Sequence, residues 1–536
     1  MNRMTGLLAA CAVFASMPAS LAAADDAAVG RAIYENGILP SGEPVVAEWP
    51  ALGISLSGPR AACARCHRIS GSGGLEGDSF VPPVTGPALF EPRRQEGPQP
   101  RVAPSVRVVE PHYLTRPPYQ TASLARALRD GVNPDGHVFS GLMPRYTLDA
   151  VALKALEAHL RQLSAQASPG IEGGVTHFAT VITPGRPAAD RKTVVDVLRA
   201  CFEQNHPRRD AGEGGWRLHV WDLEGPASDW ERQLRQNAAA QPVFAIVSGL
   251  GSADWAPVQR HCAATAVPCL FPNVDVPGAV EPDRYSFYFS AGTALEGRVM
   301  ARWLSGAEAT PKRVVQLYIA GDARAEAGVA ALKAALLPPG MERIDQALAD
   351  ASPNAVAAAL RSVRADDAVM LWLPGGSLQR LMKAADPPDA SLILASGWLA
   401  DPRDLDVSVA WRKRLHFTYA FDPPARYELR MNFNLMPWLN QQGIKASSQM
   451  LAGNTLTACN LVVEGMATQR GVRTRDKLIE SLENYDVSMR NGPAPQAFYS
   501  FSLGPGQRFS SKGAFIVRYA DETGRRLQPV VEWIVP

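Results

Sequence analysis

Hydrophobic and polar positions follow an alternating pattern over most of this chain. Short runs rich in β-branched and aromatic residues are followed by stretches with helical spacing or by turns; the first such pair is a strand at 178–182 and a helix over 194–202. Further apolar runs lie at 216–221, 243–247, 314–318, 368–372 and 392–394. Alternation of this kind predicts parallel sheets with helices on both faces, and there are enough strands for two α/β lobes.

The pattern before residue 164 is helical instead. Apolar side chains recur at helical spacing from Leu148 to Leu163, which predicts an amphipathic helix. We expect it to pack against an earlier helix that carries Ala28, Ala32 and Ile33. Between the two helices, residues 82–118 are rich in proline and predict a long loop.

A stretch of small and polar residues, 164–175, separates the two patterns and reads as a linker. A chain of 536 residues is too long for one core. We therefore predict a multidomain protein with a signal peptide at 1–24, an all-α domain at 25–163, the linker at 164–175, and a two-lobed α/β domain at 176–536.

The first 24 residues have the parts of a secretory signal: Arg3 near the start, an apolar stretch at 7–17, and small residues at 22–24. This predicts export to a bacterial periplasm. The residues before Cys11 resemble a lipoprotein processing site, so a lipid anchor at Cys11 is the alternative. No later segment is long and apolar enough to predict a transmembrane helix.

Charge narrows the choice of partners. The formal net charge is +2 and the sequence has no sustained basic run. Nucleic acid and anionic membrane surfaces are therefore not predicted as partners.

The most specific motif is Cys63-Ala64-Arg65-Cys66-His67. Two thiols three residues apart and an adjacent histidine predict covalent attachment of one haem c, with each thiol bonded to a haem vinyl group and His67 as an axial ligand of the iron. A redox dithiol would need a strand before the motif, whereas residues 55–59 look like a loop. A zinc site would need a second Cys/His pair nearby, and the next histidine, His112, stands alone.

Met143 is the candidate for the second axial ligand of the iron. Gly141 and Pro144 flank it and can hold an extended loop that brings the thioether over the haem. His137, which follows a turn signal, is the alternative ligand, and Met143 could instead fill a gap in the core.

Residues 30–163 resemble the class I cytochrome c family, through the framing helices and the order of Cys63, Cys66, His67 and Met143. The resemblance implies a small helical domain around a six-coordinate haem with His/Met ligation. Such a domain exchanges electrons with periplasmic redox partner proteins.

Four further cysteines lie in the second domain. Cys262 and Cys269 are close in sequence, and an oxidising compartment permits a disulfide between them, although two buried thiols are the alternative. Cys201 and Cys459 have no local partner, and the sequence leaves open whether they pair with each other.

The region from 176 to 536 resembles type I periplasmic substrate-binding proteins, the branched-chain amino acid and amide receptors of ABC importers. The stretches that carry the resemblance are 246–252, 268–273, 292–303 and 503–509. It implies two α/β lobes that close over a small ligand by hinge motion.

Three residues are candidates for the ligand cleft. Ser252 is placed to begin a helix and could hold a polar ligand group, or act as an ordinary N-cap. Asp275 falls where amino-acid-binding relatives use a small hydroxyl residue against the ligand carboxylate, and Trp398 falls where they place an acid against the ammonium. These departures suggest a neutral, cationic or aromatic ligand, or a cleft that no longer binds. Trp372 could line the opposite wall or belong to the core.

These observations favour a periplasmic electron-transfer protein whose fused domain docks a small ligand or a partner protein. The alternative is a solute receptor of an ABC-type importer with an accessory, redox-sensing haem. The sequence has no flavin, quinone or nicotinamide fingerprint, and Met143 would close the iron position that peroxide chemistry needs, so we do not predict an enzyme.

Overall fold

The computed structural model describes residues 19–76, 79–92, 116–205, 215–251, 255–275, 283–306, 311–469, 471–484, 496–521 and 526–536. The chain divides into two compact units, Met1–Ala167 with Arg470–Lys477, and Ser168–Gln469 with Leu478–Pro536. Most of the predicted signal peptide, with Cys11, lies outside the described residues. None of the described helices is both long and apolar enough to cross a membrane.

The first unit mixes helices with short strands. Its helices are α1 (Ala19–Asn36), α2 (Ala64–His67), α3 (Gly86–Phe90), α4 (Thr121–Asp130) and α5 (Ala150–Gln162). Its strands are β1 (Val46–Trp49), β2 (Ile54–Ser57), β3 (Gly74–Glu76), β4 (Ser79–Val81) and β5 (Arg145–Tyr146). They form a three-stranded sheet in the order β2-β1-β5 and a separate β3-β4 pair.

The prediction of an all-α first domain was therefore wrong. In the three-stranded sheet, Ala47 lies opposite Leu56 and opposite Tyr146, and all three side chains are buried. Neighbouring positions on β1 and β2 point outward, as the two-residue period of a strand requires. These strands have two to four residues, too few for the alternation to stand out in the sequence.

The two long helices of the first unit pack against each other as predicted. Ile33 and Tyr34 on α1 share a core with Leu156 and Leu160 on α5. Gly30 lies at the crossing point, where a Cβ would come within 1.9 Å of the Ala155 carbonyl oxygen. Only glycine allows the backbones to approach this closely.

The second unit contains two α/β lobes. The first lobe has strands β6 (Ile171–Glu172), β7 (Val175–Ile182), β8 (Trp216–Asp222), β9 (Ala245–Val247), β10 (Cys269–Leu270) and β11 (Ser286–Phe287), with helices α6 (Ala188–Gln204), α7 (Trp230–Ala240) and α8 (Ala256–Thr265). Strands β11, β10, β9, β7 and β8 are parallel neighbours, and β6 pairs antiparallel with the start of β7. Because β6 begins at Ile171, this sheet starts inside the segment predicted as a linker.

In the part of the chain that the structure describes, the sheet of the second lobe has seven strands. They are β12 (Arg313–Ile319), β13 (Glu342–Leu348), β14 (Asp367–Trp372), β15 (Leu392–Ser396), β16 (Leu415–Tyr419), β17 (Phe515–Tyr519) and β18 (Leu527–Pro529), in the order β13-β12-β14-β15-β16-β17-β18. The first five in this order are parallel, and the last two are antiparallel.

The remaining helices follow the chain from the second lobe back to the first. They are α9 (Thr293–Ser305), α10 (Ala323–Ala334), α11 (Pro353–Leu360), α12 (Gly375–Ala384), α13 (Val409–Arg412), α14 (Pro424–Arg430), α15 (Met436–Gln441), α16 (Gln449–Thr468) and α17 (Arg475–Glu483). A π-helical turn, Met431–Leu435, joins α14 to α15.

Two disulfides are present in the first lobe. Cys262 at the end of α8 is bonded to Cys269 at the start of β10. Cys201 on α6 is bonded to Cys459 on α16, across a sequence separation of 258 residues. The second bridge resolves the pairing that the sequence left open.

Candidate functional site

The first unit encloses a cavity of about 940 Å³. Cys63, Cys66, His67 and Met143 all line it. The short helix α2 brings Cys66 and His67 to the wall, and Cys63 immediately precedes this helix. The residues predicted to hold haem c therefore face one common space.

The geometry of His67 suits an axial ligand. Its Nδ1 lies 2.8 Å from the carbonyl oxygen of Pro82. A carbonyl can only accept, so Nδ1 carries the proton and donates, and Nε2 keeps its lone pair. Burial also lowers the pKa of His67, which favours the neutral ring.

The loop around Met143 is held by hydrogen bonds to its backbone. Arg145 donates through Nη1 to the Met143 carbonyl at 2.6 Å and through Nη2 to the Phe139 carbonyl at 3.3 Å. The backbone N–H of Ala51 donates to the carbonyl of Gly141 at 3.0 Å. His137 lines the same cavity, so the geometry accommodates the alternative axial ligand as well.

The rest of the cavity fits a porphyrin. Apolar side chains, with leucine and aromatic residues prominent among them, supply most of the wall, and Arg60 and Arg116 also line it. Trp49 lines the cavity, and its buried indole N–H has no hydrogen-bond partner among the described residues, so it could donate to an acceptor on a bound group. A large apolar space, two thiols, an imidazole and such donors form the set that haem c requires.

The expectation that residues 55–59 form a loop was wrong, because strand β2 (Ile54–Ser57) precedes the cysteine motif. This strand pairs antiparallel with β1, so it does not form the βαβ unit of a redox dithiol, and the thiols themselves do not support either alternative. Cys63 and Cys66 are both free thiols; burial raises the pKa of Cys63 to about 12 and raises that of Cys66 as well. Reactive redox thiols have lowered pKa values. Within the described ranges, no group of three or more His, Cys, Asp and Glu side chains could hold a metal ion, so a zinc site has no ligand set.

The second unit has a cleft of about 190 Å³ between its lobes. Asp275, which follows β10 in the first lobe, and Trp398, which follows β15 in the second, both line it, so the structure brings these two predicted residues together. Ser252 lies outside the described residues. Trp372 is fully buried in the core, where its indole N–H donates to Gln316 at 2.9 Å, so the suggestion that it lines the cleft was wrong.

The walls of the cleft combine aromatic and polar side chains. The aromatic residues are Tyr288, Phe289, Trp398, Phe421 and Phe498; the polar and charged residues are Arg186, Asp190, Asn273, Asp275, Ser290, Ser448 and Asn454. Parallel-sheet proteins bind ligands at such positions, beyond the carboxyl ends of strands.

A buried carboxylate fixes the position of Trp398. Glu296 on α9 is 1% exposed; it accepts hydrogen bonds from the Ser396 hydroxyl and from the backbone N–H of Trp398, the latter at 3.0 Å. Burial raises the pKa of Glu296 to about 8, although these hydrogen bonds oppose the rise. This role of Glu296 could not be predicted, because it depends on a loop about 100 residues away in the chain.

The ring of Trp398 is also held by its neighbours. It stacks on Phe421 with ring centroids 5.7 Å apart and on Phe498 at 6.0 Å. Gly292 has a φ of +57°, and a Cβ there would lie 3.2 Å from the Asp275 carbonyl and 3.4 Å from the Trp398 ring. The absence of a side chain at Gly292 lets both cleft residues approach the same point.

Most charges around the cleft are paired. Arg186 lies 3.2 Å from Asp190, which also accepts a hydrogen bond from Ser447 at 2.7 Å. Arg324 does not line the cleft; its guanidinium is 3.9 Å from Asp275. It also makes bidentate hydrogen bonds to Asp322, at 3.1 and 3.2 Å. Each guanidinium therefore already has a close carboxylate partner.

Comparison with known proteins gives a fold and no sequence family. No family model matches the chain, and no curated protein matches it. Among solved structures, an ABC transporter substrate binding protein from Aeropyrum pernix aligns with a TM-score of 0.51 at 14% identity, covering 68% of this chain and 96% of the other. The second unit has a periplasmic binding protein fold. The first unit makes up only about a third of the chain, so coverage of 68% must come mainly from the second.

Two other solved structures show weaker similarity. A branched chain amino acid ABC transporter protein from Thermus thermophilus with bound valine aligns with a TM-score of 0.47 at 12% identity, over 68% of this chain and 97% of the other. A possible leucine/isoleucine/valine-binding protein from Rhodopirellula baltica SH 1 aligns with a TM-score of 0.46 at 14% identity, over 68% and 98%.

Proposed function

We propose that this chain is a periplasmic receptor for a small solute that also carries one covalently bound haem c. The observation that supports the receptor function best is the cleft between the two lobes of the second unit, lined by Asp275 and Trp398. Two-lobed proteins of this fold bind by closing their lobes over a ligand. Export to the periplasm, which follows from the predicted signal peptide, is consistent with the fold, and an ABC-type importer is the partner that such a receptor would serve.

The haem belongs in the cavity of the first unit. Cys63 and Cys66 would form the thioether bonds, while His67 and Met143 would supply the protein ligands of the iron. When bound, haem c supplies reversible one-electron exchange. The chain's own part is to keep His67 neutral by burial, to orient its ring through the Pro82 carbonyl, and to exclude water with an apolar wall.

A second candidate function is an electron carrier whose second unit docks a partner protein and no longer binds a solute. The small volume of the cleft, about 190 Å³, favours it, because small-molecule sites usually have ~300–1,000 Å³. In this case periplasmic redox proteins are the partners. The two candidates share the haem and differ in the role of the cleft.

A thermal-shift screen of periplasmic solutes against the purified, haem-loaded full chain separates them. A ligand that binds only the folded protein raises its melting temperature, by an amount set by its concentration relative to the Kd. Stabilisation of the second unit by a solute supports the receptor. If no solute in a broad panel stabilises it, the receptor proposal fails and the electron carrier stands.

The haem proposal has its own test. Extraction of the denatured protein with acidified acetone should leave the colour on the polypeptide, and replacing both Cys63 and Cys66 with serine should release it. A colourless polypeptide from the wild-type chain, expressed with haem-attachment machinery, would refute the proposal.

A further inference from the structure

We infer that the cleft takes a small organic cation with a flat, apolar body, bound between the carboxylate of Asp275 and the ring of Trp398. This inference rests on the receptor function proposed above and specifies its ligand class. It follows from the balance of charge in the cleft, the nature of its walls and its size.

The described lining residues carry two carboxylates, on Asp190 and Asp275, and one guanidinium, on Arg186. Arg186, just before α6, and Asp190, in its first turn, neutralise each other as an ion pair at 3.2 Å. Among the described residues, the ion-pair contact of Asp275 is with Arg324 at 3.9 Å, and the guanidinium of Arg324 makes closer, bidentate hydrogen bonds to Asp322. One negative charge thus remains uncompensated at the wall, and its side chain is 38% exposed.

The N-terminus of α16 opposes this preference for a cation, because the helix dipole places a partial positive charge there. Ser448 and residues of the first turn of α16 line the same cleft. Two features reduce its effect on a ligand. The Ser448 hydroxyl accepts from the backbone N–H of Leu451, which satisfies one orphan donor, and Asp190 lies beside this end through its bond to Ser447. A cation near Asp275 is therefore favoured, and an anion is repelled by the same carboxylate.

The aromatic walls of the cleft favour a ligand whose uncharged part is flat and apolar. Trp398 is partly exposed in the cleft, and the ring is held by Phe421, Phe498 and the Glu296 hydrogen bond to its backbone. A fixed tryptophan ring attracts both cations and flat apolar groups. At about 190 Å³ the cleft is smaller than the ~300–1,000 Å³ usual for small-molecule sites, which excludes large ligands.

Three probes of nearly equal shape test the inference by isothermal titration calorimetry on the haem-loaded full chain at neutral pH. They are 2-phenylethylamine, which is a cation, 2-phenylethanol, which is neutral, and 3-phenylpropionate, which is an anion. We expect the amine to bind at least about tenfold more tightly than the alcohol, and the acid not to bind, because one ionic and one cation–π contact distinguish the amine. Equal binding of amine and alcohol, or tighter binding of the acid, would overturn the inference.

Substitutions test which side chains make the cleft prefer the amine to the alcohol. Asp275→Asn should bring the amine-to-alcohol ratio close to one, whereas the matched control Asp406→Asn, at an exposed carboxylate outside the cleft lining, should leave it unchanged. Trp398→Leu should weaken both probes, and Trp398→Phe should restore part of the affinity. Because each variant is judged by a ratio of two ligands, loss of folded protein does not mimic the result. An unchanged ratio in Asp275→Asn contradicts the inference.

The outcomes also separate this inference from the receptor function. If the amine fails but a neutral or anionic solute from the wider screen binds and stabilises the second unit, the ligand class is wrong and the receptor function holds. If no solute of any class binds, both the receptor function and this inference about its ligand are wrong.

Discussion

The buried carboxylate of Glu296 predicts an unusual dependence of stability on pH. Its pKa is raised from an ordinary value of 4.5 to about 8 in the folded protein, mainly by burial. Between these pH values the folded state keeps a proton that the unfolded state has released. The free energy of unfolding of the second unit should therefore fall as pH rises from about 4.5 to 8, and level off above the folded pKa.

The size of the effect follows from the two pKa values. At about 1.4 kcal/mol per pH unit, a rise from 4.5 to about 8 corresponds to about 5 kcal/mol of stability lost across this range. Glu296 is 1% exposed, so solvent does little to screen it. This loss is a large fraction of the free energy of unfolding of a typical domain, which is roughly 5–15 kcal/mol.

Glu296→Gln is the informative variant, since the amide has the same shape and does not titrate. We expect the stability of the variant minus that of wild type to rise by about 5 kcal/mol from pH 4.5 to pH 8. The subtraction cancels other groups, including His416 in the same lobe, whose lowered pKa makes stability rise with pH. Glu428→Gln, at an exposed position, is the control and should show no such change with pH.

Urea unfolding followed by tryptophan fluorescence measures this difference. The first unit contains a single tryptophan, Trp49, so the signal reports mainly on the second unit. Midpoints and slopes at several pH values give the free energy of unfolding for each protein. A difference between variant and wild type that stays constant with pH would refute the reasoning.

Three further predictions concern other parts of the chain. Gly30→Val should lower the stability of the first unit by about 3 kcal/mol, because its Cβ would overlap the Ala155 carbonyl oxygen; an unchanged melting temperature by circular dichroism would contradict this. Met143→Ala should keep the covalent haem but lower its reduction potential and let carbon monoxide bind, and an unchanged spectrum would assign the axial position to another residue. Arg430→Met should destabilise the second unit by about 3 kcal/mol in urea unfolding, because the fully buried Asp422 loses its closest ion-pair partner and keeps the longer, 3.6 Å contact with Arg426, and adding Asp422→Asn should recover part of the loss; no recovery would count against an undercompensated buried charge as the cause.

The central strands of the second unit were predictable because they are buried on both faces. Strands β7, β12 and β14 appear in the sequence as nearly continuous apolar runs. Edge strand β13 was missed, since Glu342–Leu348 alternates exposed and half-buried positions and carries charged residues. The strands of the first unit were too short to be recognised.

In the candidate sites, the residues that could be predicted belong to a local motif or to a family resemblance. The residues that could not be predicted act on partners far away in the sequence. The Cys63–His67 motif is contiguous, so its chemistry can be read from five residues. Asp275 and Trp398 came from a resemblance to a family, and the structure places both on one cleft. Glu296 and the partner of Cys201 could not be predicted, because each acts on a residue that is distant in sequence and near only in the fold.

The cysteines of this chain need opposite redox treatment as the protein matures. Cys201 with Cys459, and Cys262 with Cys269, must be oxidised to form the bridges of the first lobe. Haem attachment, as proposed, requires the two thiols of the Cys63–His67 motif to stay reduced until the thioether bonds form. A host for recombinant production must therefore combine disulfide formation with a thiol-reducing haem-attachment pathway in the same compartment.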